Sequence, residues 1–327
     1  MKIRASIGTA AALGIESLKT AAEPTTGYLM QYYSGHCSSN CAFCPQAAES
    51  SGKTDHLSRI LWPDYPLSKI TQKLIVNPGP IKRICIQTIN FPNWKNNLVS
   101  ILASLKEKGN RLPISVCCVP AKKEFFQQLK KKGTTRIGIA LDCATPDLFN
   151  DIKGKNRGIN VSWDQMLSTL KDAIAVFGSS FTTTHLIIGL GETEEEALRF
   201  IQKFLNHNIT IGLFAFTPIK GTALAEKKQP PLKTYRRIQL AKYLLETKNI
   251  SLSDLSFNDQ GQLIHFGLPL EELRSIIQMG KPFLTSGCPH CNRPFYNESP
   301  NKELYNFPRN LTSIELQGIL DSFKNQI

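Results

Sequence analysis

Three of the nine cysteines in this 327-residue chain crowd into residues 37–44, as Cys37, Cys41 and Cys44. Their C-x3-C-x2-C spacing brings three thiolates into one loop. Three such ligands can hold three irons of a 4Fe–4S cube and leave the fourth iron open to a small molecule. The competing chemistry is a zinc ion held by the same cysteines and one further ligand. A second pair, Cys288 and Cys291, stands in Ser286-Gly287-Cys288-Pro289-His290-Cys291-Asn292-Arg293-Pro294. This C-x2-C has metal-ligand spacing but supplies half a site, so it needs partners such as His290, Cys117 or Cys118. Taken singly, Cys85, Cys117, Cys118 and Cys143 read as small buried apolar residues.

These residues must be positioned by a scaffold, and the apolar pattern describes one. It predicts a helix over residues 1–21, stopped by Pro24 and Gly27, and then a buried strand over Tyr28–Tyr33 that runs directly into the cysteine loop. Residues 45–65 read as irregular, and Pro66–Val76 as a helix. Strands are predicted at Lys82–Ile89, Leu112–Val119, Thr135–Leu141, Phe181–Ile188 and Ile209–Phe216. Helices alternate with them at Asn93–Lys108, Ala121–Lys132, Pro146–Ile152, Trp163–Phe177, Thr193–Asn206 and Leu232–Thr247. A last short strand is expected at Ser251–Phe257, then helices at Pro269–Met279 and Ile314–Phe323. Alternation of this kind means β-α units on a parallel sheet. The expected fold is α/β, a partial or full (β/α) barrel of parallel strands with a C-terminal extension. Its division is residues 1–27 as an N-terminal helical segment, 28–257 as the barrel, and 258–327 as an extension carrying the C-x2-C motif. Barrels of this type keep their chemistry in loops that follow the strands, and the C-x3-C-x2-C run lies in such a loop.

Composition bounds the partners. Lys and Arg number 39 against 26 Asp and Glu, a formal charge of +13, which suggests an acidic partner or substrate. Lys130-Lys131-Lys132 and Arg236-Arg237 are not interleaved with aromatics, so nucleic acid is not the expected partner. The odd cysteine count and the adjacent Cys117 and Cys118 do not form a secreted disulfide framework. Ala10–Leu13 is too short for a signal peptide, and no apolar run reaches membrane-span length. The expectation is a soluble cytoplasmic protein without a membrane partner.

At the cysteine loop, with Phe43 just before its last cysteine, the chain resembles the radical S-adenosylmethionine superfamily. The resemblance implies a 4Fe–4S cluster on Cys37, Cys41 and Cys44, with S-adenosylmethionine on the open iron. One electron from a reducing donor would cleave the cofactor, and a 5′-deoxyadenosyl radical would take hydrogen from an unactivated C–H bond. His185-Leu186-Ile187-Ile188-Gly189-Leu190-Gly191-Glu192 resembles the strand-end element that meets the adenine, with Ile187 packed on the ring. Asp142 resembles the group that binds the ribose hydroxyls. Thr217-Pro218-Ile219-Lys220-Gly221-Thr222 looks like the adenine-side loop of biotin-synthase-like members. The implied cofactor contacts are therefore Phe43, Asp142, Ile187, Gly189, Glu192 and Thr217, and no protein side chain is assigned as catalytic. The second strand departs from many members: Gln87-Thr88-Ile89-Asn90 replaces a Gly-Gly-Glu element, as it does in biotin-synthase-like proteins.

Over residues 1–260 the resemblance is to biotin synthase and its relatives, whose second, sacrificial cluster uses cysteines on successive strands plus an arginine. Cys85 and Cys117 or Cys118 stand at fitting places, but Thr183 replaces a third cysteine, which argues against a biotin synthase proper. Gly8-Thr9-Ala10, Thr25-Thr26-Gly27-Tyr28-Leu29-Met30 and residues 288–300 look like the two-protein type of lipoyl synthase. In that type two related radical proteins insert two sulfurs into an octanoyl chain on a carrier domain. The resemblance thus implies an auxiliary iron–sulfur cluster involving Cys288 and Cys291, an acidic octanoylated carrier domain and a related radical protein as partners. Other readings are biotin synthase-like sulfur insertion, a carbon-skeleton rearrangement like that of methylornithine synthase, a zinc clip holding the tail, and a non-catalytic metal- or nucleic-acid-binding protein.

Overall fold

Short runs rich in Ile, Thr and Val pair into a curved sheet in this computed structural model, which describes residues 1–247, 250–298 and 302–323. The strands are β1 (Lys2–Ala5), β2 (Thr26–Gln31), β3 (His56–Leu57), β4 (Ile60–Leu61), β5 (Asp64–Pro66), β6 (Arg83–Gln87), β7 (Ile114–Cys117), β8 (Thr134–Gly138), β9 (Thr182–Ile188) and β10 (Thr210–Ala215). The helices beside them are α1 (Ile7–Ala12), α2 (Leu67–Val76), α3 (Trp94–Glu107), α4 (Lys123–Lys131), α5 (Pro146–Lys153), α6 (Trp163–Phe177), α7 (Glu194–Leu205) and α8 (Leu232–Thr247). One sheet runs in the order β10-β9-β8-β7-β6-β2-β1-β5. From β2 through β6 to β10 all neighbours are parallel, while β1 lies antiparallel to β2 and β5. The result is a partial β/α barrel: β10 and β5 are the free ends of the sheet.

Local chemistry fixes the helix starts. Ser162 with Gln165, and Thr193 with Glu196, form capping boxes at α6 and α7, satisfying backbone N–H groups that the first turn leaves unpaired. Thr145 caps α5, with Pro146 at the first helical position, where a missing N–H costs nothing. Apolar stripes on these helices then pack onto the outer face of the sheet, as Leu98, Ile101, Leu102 and Leu105 of α3 do.

Two expectations are corrected. Residues 1–27 are not a helical segment, because Lys2–Ala5 is a strand and only Ile7–Ala12 is helical. The short alternation explains it: Ile3 and Ala5 are fully buried, and β1 covers the edge that β2 would otherwise expose. Ser251–Phe257 does not add a barrel strand either. Leu252–Asp254 is a 3-10 turn, and β11 (Ser256–Phe257) pairs only with β12 (Leu263–His265) in a separate hairpin. Beyond it, α9 (Leu270–Gln278) and α10 (Ser313–Phe323) pack on each other, and α10 also meets α8.

The open edge of β10 is covered by the chain's late segment. Ser286 Oγ accepts the Leu213 N–H at 3.0 Å, Arg293 Nη2 donates to the Leu213 carbonyl at 3.3 Å, and Asn297 Nδ2 donates to the Ala215 carbonyl at 2.7 Å. Side chains thus do the work of a missing strand. The hairpin is tied on by a buried ion pair. Arg237 of α8 grips Glu194 at the start of α7, and the same carboxylate accepts the Leu263 N–H at 2.9 Å. Removing one partner would leave an uncompensated buried charge. Glu194→Ala should therefore lower unfolding free energy by about 3–5 kcal/mol, read as an earlier urea midpoint at unchanged slope.

Candidate metal centre and cofactor cavity

The cysteine loop leaves the end of β2 and is clamped on two sides. The Ser38 N–H meets the Asn90 carbonyl at 2.6 Å beyond β6, and the Ala42 N–H meets the Ile152 carbonyl at 2.7 Å in α5. Cys37 Sγ accepts N–H groups from Ser39 at 3.4 Å and Asn90 at 3.3 Å. Burial pushes the Cys41 thiol up to about 11 and Cys44 higher still. Such thiols stay protonated unless a metal takes the place of the proton. Three thiols with backbone donors to one sulfur form an all-sulfur donor set, and it fits an iron–sulfur cluster.

From this loop a cavity of about 280 Å³ runs down the inside of the curved sheet. Phe43, Asp142, Ile187 and Thr217 all line it. Asp142 adopts a left-handed backbone at φ 67° and carries the sheet onward: its N–H bonds the His185 carbonyl, and its carbonyl accepts the Ile187 N–H. Lys153 at the end of α5 donates to the Asp142 carboxylate at 2.6 Å and to the Ala140 carbonyl at 2.8 Å. Burial opposes the Lys153 charge, but Asp142 outweighs it and raises its pKa.

Gly189 and Glu192 are placed differently from the other expected contacts, because neither lines the cavity. The Glu192 carboxylate turns onto its own loop and accepts the N–H groups of Gly189, Leu190 and Gly191. Burial raises its pKa, and those donors hold the rise back. Gly189 is required by shape: at φ 103° an added Cβ would lie 2.7 Å from the Pro230 ring. Both residues shape the turn that presents Ile187.

The second thiol set lies at the other end of the same cavity, near the strand starts. Cys288 Sγ sits 3.5 Å from Thr183 Oγ1, and Cys291 Sγ lies 3.6 Å from the Tyr28 hydroxyl and 3.2 Å from Arg293 Nη1. Cys85 lines the cavity with them. Tyr28, Cys85, Ser115 and Arg136 stand in register across β2, β6, β7 and β8. Burial opposes ionisation of Cys288, yet hydrogen bonding from Thr183 and the Arg136 charge bring its thiol below the ordinary value, whereas burial pushes Cys117 up to about 12. His290 is not a partner in this set: its side chain is exposed, and its carbonyl accepts the Thr25 and Thr26 hydroxyls. Cys118 and Cys143 are core residues. The three segments singled out as lipoyl-synthase-like meet here: Thr9 Oγ1 accepts the Tyr28 N–H at 2.9 Å, and the Tyr28 hydroxyl accepts N–H groups from Asn292 and Arg293.

Midway between the two ends stands His185, edge-on to Phe214 at 5.1 Å. Burial pushes its pKa down to about 4, so it is a neutral imidazole at physiological pH. His185, Lys153, Arg136 and Arg293 escaped prediction as site residues. The inward alternation of Thr183, His185 and Ile187 along β9 was the available signal for the first of them.

A loop carrying Cys37, Cys41 and Cys44 that follows the first parallel strand of a β/α barrel is the arrangement of an iron–sulfur barrel enzyme. The chain belongs to the radical S-adenosylmethionine superfamily: the family profile described as Radical SAM superfamily matches residues 32–204. Membership implies a 4Fe–4S cluster and S-adenosylmethionine. The chain is 27% identical to biotin synthase of Persephonella marina over 65% of its length and 61% of that protein. It is 24% identical to biotin synthase of Gloeothece citriformis over 72% of its length and 65% of that protein. It therefore spans less than two thirds of either relative. GTP 3′,8-cyclase of Limosilactobacillus fermentum is 25% identical over 79% of this chain and 72% of that one. Among solved structures, methylornithine synthase superposes with a TM-score of 0.53 at 15% identity, covering 73% of this chain and 68% of that one. The FeFe-hydrogenase maturase HydG from Carboxydothermus hydrogenoformans gives 0.50 at 15% identity, over 73% of this chain and 56% of that one. These structural likenesses bear on the fold. No helix among the described residues is long and apolar enough to cross a membrane.

Metal analysis of variants can assign bound iron to one thiol set or the other. Anaerobic reconstitution of Cys44→Ala should lose about four irons per chain. The double variant Cys288→Ala/Cys291→Ala should keep those and lose the remainder, as counted by iron and acid-labile sulfide.

Proposed function

We propose that this radical enzyme inserts sulfur into unactivated C–H bonds of a protein-bound octanoyl chain, as the two-protein type of lipoyl synthase does. The observation that carries the reading is that one cavity is lined both by Cys44 of the C-x3-C-x2-C loop and by Cys85, Cys288 and Cys291. A substrate between them would face a radical source on one side and a sulfur source on the other. When bound, the clusters and S-adenosylmethionine supply the 5′-deoxyadenosyl radical and the sulfur.

The chain's own residues would bind, orient and exclude water. Asp142, braced by Lys153, is directed to the ribose hydroxyls, while Ile187 offers a flat apolar contact to the adenine. Phe43 and Thr217 close the cofactor's side. The middle of the cavity is walled by Val116, Ala140, Phe214 and Phe216, which suits an alkyl chain and keeps water away from a radical. The Tyr296 ring shuts the tail's side of the cavity, 5.4 Å from Tyr28 and 6.3 Å from Trp62. Biotin synthase relatives support sulfur insertion as a reaction class, and the formal charge of +13 suits an acidic carrier domain. A reducing electron donor and a related radical protein complete the proposed partners.

The test is mass spectrometry of an octanoyl-lysyl peptide after anaerobic reaction with the reconstituted chain, a related radical protein, S-adenosylmethionine and a strong reductant. The expected result is a peptide that gains sulfur in step with 5′-deoxyadenosine release. Release of 5′-deoxyadenosine with the peptide unchanged, while another substrate is consumed, would overturn the proposal. A count of about four irons rather than about eight would point instead to a rearrangement without an auxiliary cluster.

A further inference from the structure

The excess of positive charge is not spread evenly over the barrel. Neighbours from β2 to β10 are parallel, so the strand starts share one pole, at the floor of the cavity. Lys82 precedes β6, Arg111 precedes β7, and Lys130 and Lys131 end α4 just before β8. Lys106 and Lys108 stand beside them at the end of α3. All six are exposed, and none has an ion-pair partner among the described residues. Across residues 77–82, 106–113 and 130–135 the only acidic residue is Glu107.

A helix dipole favours a cation at each C-terminus, but it does not account for this patch. The last turn of α6 holds no basic residue, and that of α7 holds only Lys203. The mouth of the barrel differs as well. Arg157 there pairs with Glu49, Lys53 stands two residues from Asp55, and Lys227 and Lys228 follow Glu226.

The turn that carries the second thiols lies on the basic pole. Arg83, next in the chain to Lys82, donates from Nε to the Pro289 carbonyl at 3.1 Å. The Thr25 and Thr26 hydroxyls, at the start of β2, donate to the His290 carbonyl at 2.7 and 2.6 Å. Pro289 and His290 are themselves exposed. One exposed turn thus separates Cys288 and Cys291 from whatever sits on the patch. Like charges held side by side repel, and an acidic protein surface relieves that repulsion and is steered toward it. Nucleic acid matches less well, because no aromatic residues are interleaved with these cations.

We propose that this pole is the docking surface for an acidic iron–sulfur carrier protein, which covers the Pro289–His290 turn and loads the second thiol set from the side opposite the mouth. The proposal rests on the reading above that the second thiol set holds a cluster, and it adds the partner and the face it uses. Net charge attracts any acidic domain, the octanoylated one included; the patch selects which one docks beside the second thiols. Loading is a ligand exchange. The cluster core leaves the carrier's thiolates for those of this chain, the protons of these thiols pass to the carrier's, and no oxidation state changes.

The test uses the full chain with Cys37, Cys41 and Cys44 replaced by Ala, so that bound iron belongs to the second site. Fluorescence anisotropy at rising salt follows binding of two probes, a metal-free acidic iron–sulfur scaffold protein and an octanoylated acidic carrier domain. Lys106→Glu/Lys108→Glu/Lys131→Glu should bind the scaffold protein roughly tenfold more weakly than the parent, with a flatter salt dependence. Lys53→Glu/Lys227→Glu/Lys228→Glu reverses as many charges at the mouth and should bind it like the parent. Hydrogen exchange should slow at residues 106–111 and 288–292 when the scaffold protein docks. Free iron and sulfide should load all three chains equally, which also shows them folded, whereas transfer from the metal-loaded scaffold protein should slow in the first variant alone. Equal binding by the parent and that variant would overturn the docking surface. So would displacement of the scaffold protein from this pole by the carrier domain, or tighter binding of a double-stranded DNA oligonucleotide. A parent that binds the scaffold protein but takes up no free iron and sulfide would overturn the cluster reading, and the loading with it, while the docking surface stands.

Discussion

An unpaired strand edge is the constraint on which this molecule depends. A parallel sheet of six strands curls far enough to enclose a cavity but not far enough to close, so the N–H and carbonyl groups of β10 face a gap. Leaving them unmet inside a protein is costly. Residues 284–297 fill the gap with side chains: Ser286, Arg293 and Asn297 each take one backbone group of β10. Because the patch must reach into the barrel to do this, it carries Cys288 and Cys291 with it. The structural repair and the second thiol set are one piece of chain.

The two thiol sets differ in electrostatic setting. Cys41 and Cys44 are buried with pKa values driven up, next to the neutralised pair of Asp142 and Lys153. Cys288 sits among guanidinium groups that favour its ionised form. One end of the cavity thus presents sulfur in a nearly neutral setting, and the other presents it in a cationic one.

Much of this was legible in the sequence wherever the signal was local. The C-x3-C-x2-C run, the helices from Trp163 and Leu232, and the alternation of strands with helices are short-range patterns, and the chain folds accordingly. The local pattern over residues 1–21 suggests a helix, yet only Ile7–Ala12 is helical. The decisive fact was the antiparallel pairing of Ile3 and Ala5 with β2, which lies outside any local window. The roles of Lys153, Arg136 and Arg293 were illegible for the same reason: each is defined by a partner from a distant strand or loop. Glu192 was legible as a conspicuous residue but not as a turn-builder, because only coordinates show a carboxylate folded back onto three N–H groups of its own loop.

The late segment that seals the floor has a consequence for assembly. Synthesis delivers Cys37, Cys41 and Cys44 and every barrel strand before Cys288 leaves the ribosome. A nascent barrel can therefore present its first thiol set while its floor is still open to solvent on the side of β10. The two thiol sets are ordered in time by their order in the chain, and the segment over residues 284–297 closes the chamber only after every barrel strand has been made.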